Sequence, residues 1–195
     1  VFLTFHDGPQ PEITPCVLPQ LKTYQAKATF FLVGQNAARH PEVIKQITDQ
    51  GHHIGNHTFN HLKGWNTKNF TYFKNTLQCG PHFETTLFRP PHGQITPDQH
   101  RVLSKKHRII MWSFLTRDYN KNVSPQYIIN SVTAHTQKGE VIVFHDSEKA
   151  AANLMASLPH VLKNLSERGF TFSAIPYSVK QSASSRGTGV ITSAY

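Results

Sequence analysis

Ala28-Thr29-Phe30-Phe31-Leu32-Val33 is a run of apolar and β-branched residues that ends at Gly34, the pattern of a buried strand. A similar run, Val1-Phe2-Leu3-Thr4-Phe5, comes before it. Between the two runs, Thr14-Pro15 predicts the start of a helix, because proline is favoured in the first helical turn. A strand, a helix and a second strand in this order indicate parallel strands joined by a crossover helix.

The same alternation continues along the chain. Further helices are predicted at about 41–50, 66–78, 97–106, 124–137 and 149–168, and further strands at about 54–57, 87–88, 109–113, 141–144 and 170–172. This pattern predicts an α/β fold with a parallel sheet, either a barrel or an open doubly wound sheet. In both architectures, functional residues collect at the carboxyl ends of the strands. Residues 178–195, rich in Ser, Gly and Ala, are interpreted as a tail or irregular extension.

Composition limits the classes of function. The 195-residue chain has a formal net charge of +9 and 38% hydrophobic residues, and it contains no run of about 18 apolar residues that would predict a transmembrane segment. The positive charge favours anionic partners such as acidic glycans or nucleic acid. Because the basic residues are scattered, we expect a solvated basic face and no specific nucleic-acid site. The sequence leaves open the oligomeric state and whether Cys16 and Cys79 form a disulfide.

A candidate metal site comes from residues that follow predicted strands. His57 and His61 are four residues apart, a spacing that puts both imidazoles on one side of a helical turn. Asp7, after the first strand, adds a carboxylate ligand. Two histidines and one carboxylate leave positions free for water and substrate, which is typical of catalytic zinc.

Five segments then carry a family resemblance. They are 4–9, 57–61, 89–93, 118–119 and 143–145. Their order resembles the motifs of polysaccharide deacetylases, the NodB-homology domains of carbohydrate esterase family 4. The resemblance spans residues 1–177 and implies one domain with a distorted (β/α) barrel. It also implies a divalent metal, most often zinc and sometimes cobalt or nickel. The implied activity is removal of acetyl groups from chitin-like oligomers, peptidoglycan or acetylated xylan, outside the cell or in its envelope.

The resemblance also implies roles for single residues. Asp7, His57 and His61 match the metal ligands. His145 matches the general acid, and Asp118 matches the carboxylate that pairs with it. Arg89 matches the arginine that orients the catalytic base, and the backbone N–H of His92 matches the oxyanion donor. Substrate contacts are expected from Pro91, His92 and Tyr119.

The main departure from the family pattern is His6, which stands where the catalytic-base aspartate is usual. Three interpretations stay open. A neutral imidazole, with an ordinary pKa of about 6.5, could serve as the base. Base catalysis could instead be lost, leaving a metal-containing glycan-binding homologue with little turnover. His6 could also become an additional metal ligand. Elsewhere, Trp65 is interpreted as either a sugar platform or a core residue.

Overall fold

The computed structural model describes residues 1–177, so the interpretation of 178–195 as a tail lies outside the described residues. The strands are β1 (Phe2–His6), β2 (Ala28–Leu32), β3 (His53–Asn56), β4 (Leu87–Phe88), β5 (Arg108–Ile109), β6 (Phe114–Leu115) and β7 (Val141–His145). The helices are α1 (Thr14–Thr23), α2 (Gly34–Arg39), α3 (Pro41–Asp49), α4 (Asn69–Leu77), α5 (Pro97–Leu103), α6 (Pro125–His135) and α7 (Ala151–Glu167). Short 3₁₀ turns lie at Gly64–Asn66 and Pro91–Gly93.

The seven strands form one parallel sheet in the order β5-β4-β3-β2-β1-β7-β6. Strands β5 and β6 follow each other in the chain but lie at the two edges of this order. The sheet therefore curls around without pairing its edges, and the predicted distorted (β/α) barrel is confirmed. Within residues 1–177, no helix is long and apolar enough to cross a membrane.

Alternate residues of the strands face two different environments. Leu3, Phe5 and Phe30 belong to the large apolar core that also contains residues of α1, α3, α6 and α7. Residues of the opposite parity, such as Phe31, belong to a separate interior cluster. Gly55 makes room there, because a Cβ at this position would lie 2.3 Å from Cδ1 of Phe31. This alternation sends His6 and His145 to the inner side, where β1 and β7 end in register.

Some predicted elements were wrong. No strand forms at 170–172. The backbone of residues 170–172 passes the residues that come just before β1 and β2. Val1 N donates to Thr171 O, and Lys27 N donates to Phe172 O. The predicted strand at 109–113 is reduced to β5, while α2 and β6 were not predicted. Cys16 is exposed, Cys79 is buried, and both are free thiols.

Candidate active site

A cleft of about 690 Å³ lies at the carboxyl ends of the strands. Segments that follow each of the seven strands contribute to its walls. The lining residues that matter below are His6, Asp7, His61, His92, Tyr119 and His145. Residues that the sequence predicted to act together therefore lie in one cleft, as expected for a parallel α/β sheet.

Asp7 is the first residue after β1 and has a left-handed backbone conformation, with φ of 78°. Aspartate tolerates this region better than most residues. Asn36 stabilises the turn by donating from Nδ2 to the Asp7 carbonyl at 2.8 Å. The next residue, Gly8, donates its N–H to the buried carboxylate of Asp146, and a Cβ at Gly8 would lie 2.1 Å from Asp146 Oδ2. The loop thus fixes the Asp7 carboxylate at the cleft.

The segment from His57 to His61 is a loop, so the predicted helical turn is wrong. Thr58 and His61 have φ of 60° and 56°, a left-handed conformation that is unusual for a β-branched residue such as threonine. Asn56 Oδ1 accepts from the Thr58 amide at 2.8 Å, and Asn75 Oδ1 accepts from two further amides of the loop. These side-chain bonds replace helical bonds and still direct both imidazoles to Asp7.

The three predicted ligands converge. Asp7 Oδ1 lies 3.2 Å from His61 Nε2 and 3.6 Å from His57 Nε2. Potential ligand atoms of all three residues lie within 4.8 Å of one another. Burial raises the pKa of Asp7, but the adjacent imidazoles more than reverse this effect, so the carboxylate stays ionised.

The tautomer of His57 makes this cluster fit a cation. His57 Nδ1 lies 2.7 Å from the carbonyl oxygen of Arg89, so Nδ1 carries the proton and donates it. Burial lowers the pKa of His57 to about 4, which keeps the ring neutral at pH 7. Its Nε2 therefore turns a lone pair toward the Asp7 carboxylate, and both atoms are buried without a hydrogen-bond partner among the described residues. Two facing acceptors are favourable only with a cation between them.

His145 and Asp118 form a second, separate arrangement. The His145 side chain donates from Nδ1 to Asp118 Oδ1 at 2.6 Å, and its backbone N–H donates to Oδ2 of the same carboxylate at 2.8 Å. Asp118 is fully buried. Because the carboxylate fixes the Nδ1 side of the ring, Nε2 is the atom left to exchange protons in the cleft.

His6 lies between the two arrangements. Its ring stacks on His57 with centroids 4.8 Å apart and meets His145 edge-on at 4.0 Å. Burial, together with the neighbouring His145 and His57, lowers the pKa of His6 well below its usual value. Its Nδ1 is buried and has no hydrogen-bond partner among the described residues. His6, Asp7 and His145 also bring potential ligand atoms within 4.8 Å of one another.

Arg89 is fully buried in the interior of the barrel. Its Nη1 donates to Thr4 Oγ1 at 2.8 Å, and Nε and Nη2 each donate at 3.2 Å to the carbonyls of Ile110 and Met111. The guanidinium lies 4.1 Å from the centroid of the Phe31 ring. Burial lowers the pKa of Arg89 to about 9. No hydrogen bond joins Arg89 to His6 among residues 1–177, so its link to that ring is electrostatic.

The predicted substrate contacts lie at the rim. His92 adopts φ of 57° in the Pro91–Gly93 turn, where the amides of Gly93 and Gln94 donate to the carbonyls of Pro90 and Pro91. The ring of His92 lies 4.6 Å from that of His61. On the other side, Tyr119 meets His145 edge-on at 4.7 Å and is 42% exposed.

Comparison with known proteins identifies the family of the chain. A family model described as polysaccharide deacetylase matches residues 1–109, more than half of the chain. The chain belongs to the polysaccharide deacetylase family. A peptidoglycan-N-acetylglucosamine deacetylase of Bacillus cereus is 34% identical over 88% of this chain and 84% of its own length. This membership places the chain among the carbohydrate deacetylases.

Two further similarities support the assignment. A chitooligosaccharide deacetylase of Azorhizobium caulinodans is 32% identical, covering 90% of this deacetylase and 92% of the relative. A crystal structure of a peptidoglycan N-acetylglucosamine deacetylase superimposes with a TM-score of 0.85 at 32% identity. It covers 89% of this chain and 85% of the other.

Sequence reasoning missed several residues that shape the deacetylase cleft. Asp146 accepts from Thr14 Oγ1 at 2.6 Å as well as from Gly8 N, and burial raises its pKa to about 7. Asn75 holds the His57–His61 loop from α4, and Thr4 accepts from Arg89. The sequence offered a signal for two of them, since Asp146 directly follows His145 and Thr4 begins the segment 4–9, whereas Asn75 lies within an ordinary helical pattern.

Proposed function

We propose that this deacetylase hydrolyses acetyl groups from an N-acetylglucosamine-type glycan with one divalent metal, most favourably Zn²⁺, held by Asp7, His57 and His61. The observation that carries the proposal is the pair of facing acceptors, Asp7 Oδ1 and His57 Nε2, 3.6 Å apart. When bound, the ion supplies Lewis acidity, which lowers the pKa of water and polarises the acetyl carbonyl. Imidazole and carboxylate suit Co²⁺ and Ni²⁺ as well.

His6 acts as the base in this proposal. Its lowered pKa keeps the imidazole neutral at pH 7, so a ring nitrogen can take a proton from the attacking water. The Arg89 cation disfavours a second positive charge nearby and helps to keep His6 neutral before the reaction. The same burial makes His6 a weaker base than a free imidazole, which limits the rate that this step can reach.

His145 acts as the acid. As the carbon–nitrogen bond of the acetamide breaks, His145 Nε2 gives its proton to the leaving amine, and acetate is the second product. Asp118 keeps the ring oriented and stabilises its cationic form through the 2.6 Å bond to Nδ1. The His92 amide is the proposed donor to the developing oxyanion. Pro91 and Tyr119 bound the space for the sugar, where Tyr119 offers an aromatic face.

The relatives and the charge support the proposed substrate class. One relative is named as a peptidoglycan-N-acetylglucosamine deacetylase and another as a chitooligosaccharide deacetylase. The net charge of +9 favours an anionic polymer such as the bacterial cell wall. We infer that the deacetylase works outside the cell or in its envelope, and that acetylated xylan is a poorer substrate.

A second candidate function is a metal-containing homologue that binds glycan with little turnover. It is favoured by the position of the base, since His6 Nδ1 has no partner among the described residues and the Arg89 donors go to Thr4 and two carbonyls. A ring that packing confines but no hydrogen bond orients loses part of the benefit of proximity.

The test is acetate release by the zinc-loaded, chelator-treated and zinc-restored protein. Purified peptidoglycan, chitooligosaccharides and acetylated xylan are compared as substrates. The proposal predicts acetate from the two N-acetylglucosamine substrates, loss of activity after chelation and recovery with zinc. Activity that survives chelation would overturn the metal role. Zinc binding at one site per chain with no acetate from any substrate would favour the second candidate.

A further inference from the structure

Trp65 is an exposed aromatic residue that the proposed reaction does not use. Its side chain lies in the Gly64–Asn66 turn and is 65% exposed, so the interpretation as a core residue is wrong. An isolated exposed apolar residue is common, but tryptophan exposes the largest apolar face of any side chain. Tryptophan is also among the residues that contribute most to binding at interfaces.

The backbone beneath Trp65 is held rigidly. Gln99, fully buried, donates from Nε2 to the carbonyls of Gly64 and Thr67 at 2.9 and 3.3 Å. At Gly64 a Cβ would lie 2.2 Å from the Gln94 carbonyl oxygen, so this turn packs directly against the loop after β4. The indole N–H itself donates to the Ile95 carbonyl at 3.4 Å, which orients the ring.

These contacts join Trp65 to two loops that each contribute a residue to the cleft, although Trp65 itself is not a lining residue. It follows the cleft residue His61 by four positions, and its partner Ile95 follows the cleft residue His92 by three. In the sheet, β3 and β4 lie on one side of β1, and β7 and β6 lie on the other. The loop that carries Trp65 therefore lies on the His61 side of the cleft, whereas Tyr119, which contacts His145, lies on the opposite side.

We propose that Trp65 is a stacking platform for a sugar unit beyond the one that loses its acetyl group, so that the preferred substrate is a glycan chain several units long. The inference rests on the proposed function for the identity of the substrate. The C–H face of a pyranose ring is apolar and flat, and it packs on an aromatic face while its hydroxyls stay in water. A chain lying across the cleft can contact Tyr119 and Trp65 on either side of Asp7.

The test compares Trp65→Ala with wild type on two substrates of different length, the disaccharide and the pentasaccharide of N-acetylglucosamine. We expect kcat/KM on the pentasaccharide to fall about five- to ten-fold, with little change on the disaccharide. Trp65→Phe should restore most of the loss. The control is Tyr127→Ala, which removes another exposed aromatic, 60% accessible and on helix α6, and should change neither value.

A binding experiment separates this inference from the proposed function. Calorimetric titration with the pentasaccharide uses zinc-loaded protein carrying His145→Asn, with and without Trp65→Ala. A Kd raised about five- to ten-fold by Trp65→Ala for the pentasaccharide alone supports the platform even if no substrate releases acetate. An unchanged Kd for the pentasaccharide, or an equal loss with the disaccharide, would overturn it.

Discussion

Two buried imidazoles of the cleft, His57 and His6, stack on each other at 4.8 Å and yet are held very differently. His57 is fixed through Nδ1 by the Arg89 carbonyl, which leaves Nε2 to face Asp7. His6 has the same burial and the same neutral charge state, but its Nδ1 has no partner among residues 1–177. A ring with one nitrogen anchored by a carbonyl has the usual arrangement of a metal ligand.

This difference between His57 and His6 indicates which role each ring can serve. A metal ligand must keep one lone pair in one direction, and the fold supplies the hydrogen bond that does so at His57. A base needs only a neutral ring within reach of water, and burial alone provides that at His6. In the proposed function, the position of the metal ligand His57 is therefore fixed by a hydrogen bond, whereas that of the base His6 is favoured only by its neutral charge state.

The largest expected effect comes from removing the anchored ring. His57→Ala should abolish one-site zinc binding and lower acetate release by about a thousand-fold or more, because several kcal/mol of transition-state stabilisation is lost. Zinc content by mass spectrometry and acetate release are the measurements. His100→Ala, at an exposed histidine, is the matched control and should bind zinc normally. Full zinc occupancy in His57→Ala would contradict the role of His57 as a metal ligand.

The next effect concerns the acid. His145→Asn should lower acetate release by about a hundred-fold or more, because general acid catalysis contributes about that factor. Zinc binding should stay at one ion per chain, since Asp7, His57 and His61 are unchanged. Asp118→Asn should lower the rate as well, since the ring loses the carboxylate that stabilises its cation. Zinc affinity that falls together with the rate in His145→Asn would instead make this residue a ligand.

A smaller effect tests how Arg89 is held. Thr4→Val removes the acceptor of Arg89 Nη1 and should lower the free energy of unfolding by about 2 kcal/mol, because a buried charged donor loses its partner. Urea denaturation measures this change, with Thr23→Val, at an exposed threonine, as control. An unchanged stability would mean that the carbonyls of Ile110 and Met111 suffice.

The smallest effect concerns a third buried imidazole, His52, far from the cleft. Its Nδ1 accepts from the Ala28 amide at 3.2 Å, and burial lowers its pKa to about 4. Below its ordinary pKa of about 6.5 the unfolded chain binds more protons, so stability falls as the pH drops from about 6.5 to about 4. His52→Gln should reduce this loss by about 1 kcal/mol after allowance for solvent screening. Urea denaturation at neutral and acidic pH measures this loss of stability. A loss in His52→Gln equal to that of wild type would contradict the prediction.

The sequence was sufficient to predict a parallel α/β sheet and the convergence of Asp7, His57 and His61, because parallel strands end at one edge and both inferences need only local patterns. Those patterns left a barrel and an open sheet as alternatives, and the family resemblance implied the barrel. The sequence was not sufficient for the His57–His61 loop. The spacing suggested a helical turn, whereas Asn75, from α4, holds the loop in a left-handed conformation. Such a bond between distant residues leaves no periodic signal.

Arg89 and the segment 170–172 show the same limit. The motif marks Arg89, but its partners are the Thr4 side chain and the carbonyls of Ile110 and Met111, two segments that only the folded barrel brings together. Residues 170–172 have a strand-like composition, but they form no strand, because their backbone passes the starts of β1 and β2 and bonds there to single residues. Composition predicts that a segment is buried, but it does not predict how the segment runs relative to the strands it meets.

The most direct measurement for the central claim is zinc-dependent acetate release by wild type, His6→Ala and His6→Asp on a chitooligosaccharide. If His6 is the base, wild type is active, and His6→Ala loses about a hundred-fold or more, the contribution of a general base. His6→Asp then stays within about ten-fold of wild type, since either residue can take the proton. A His6→Ala variant as active as wild type, or a His6→Asp variant far more active, would contradict the account.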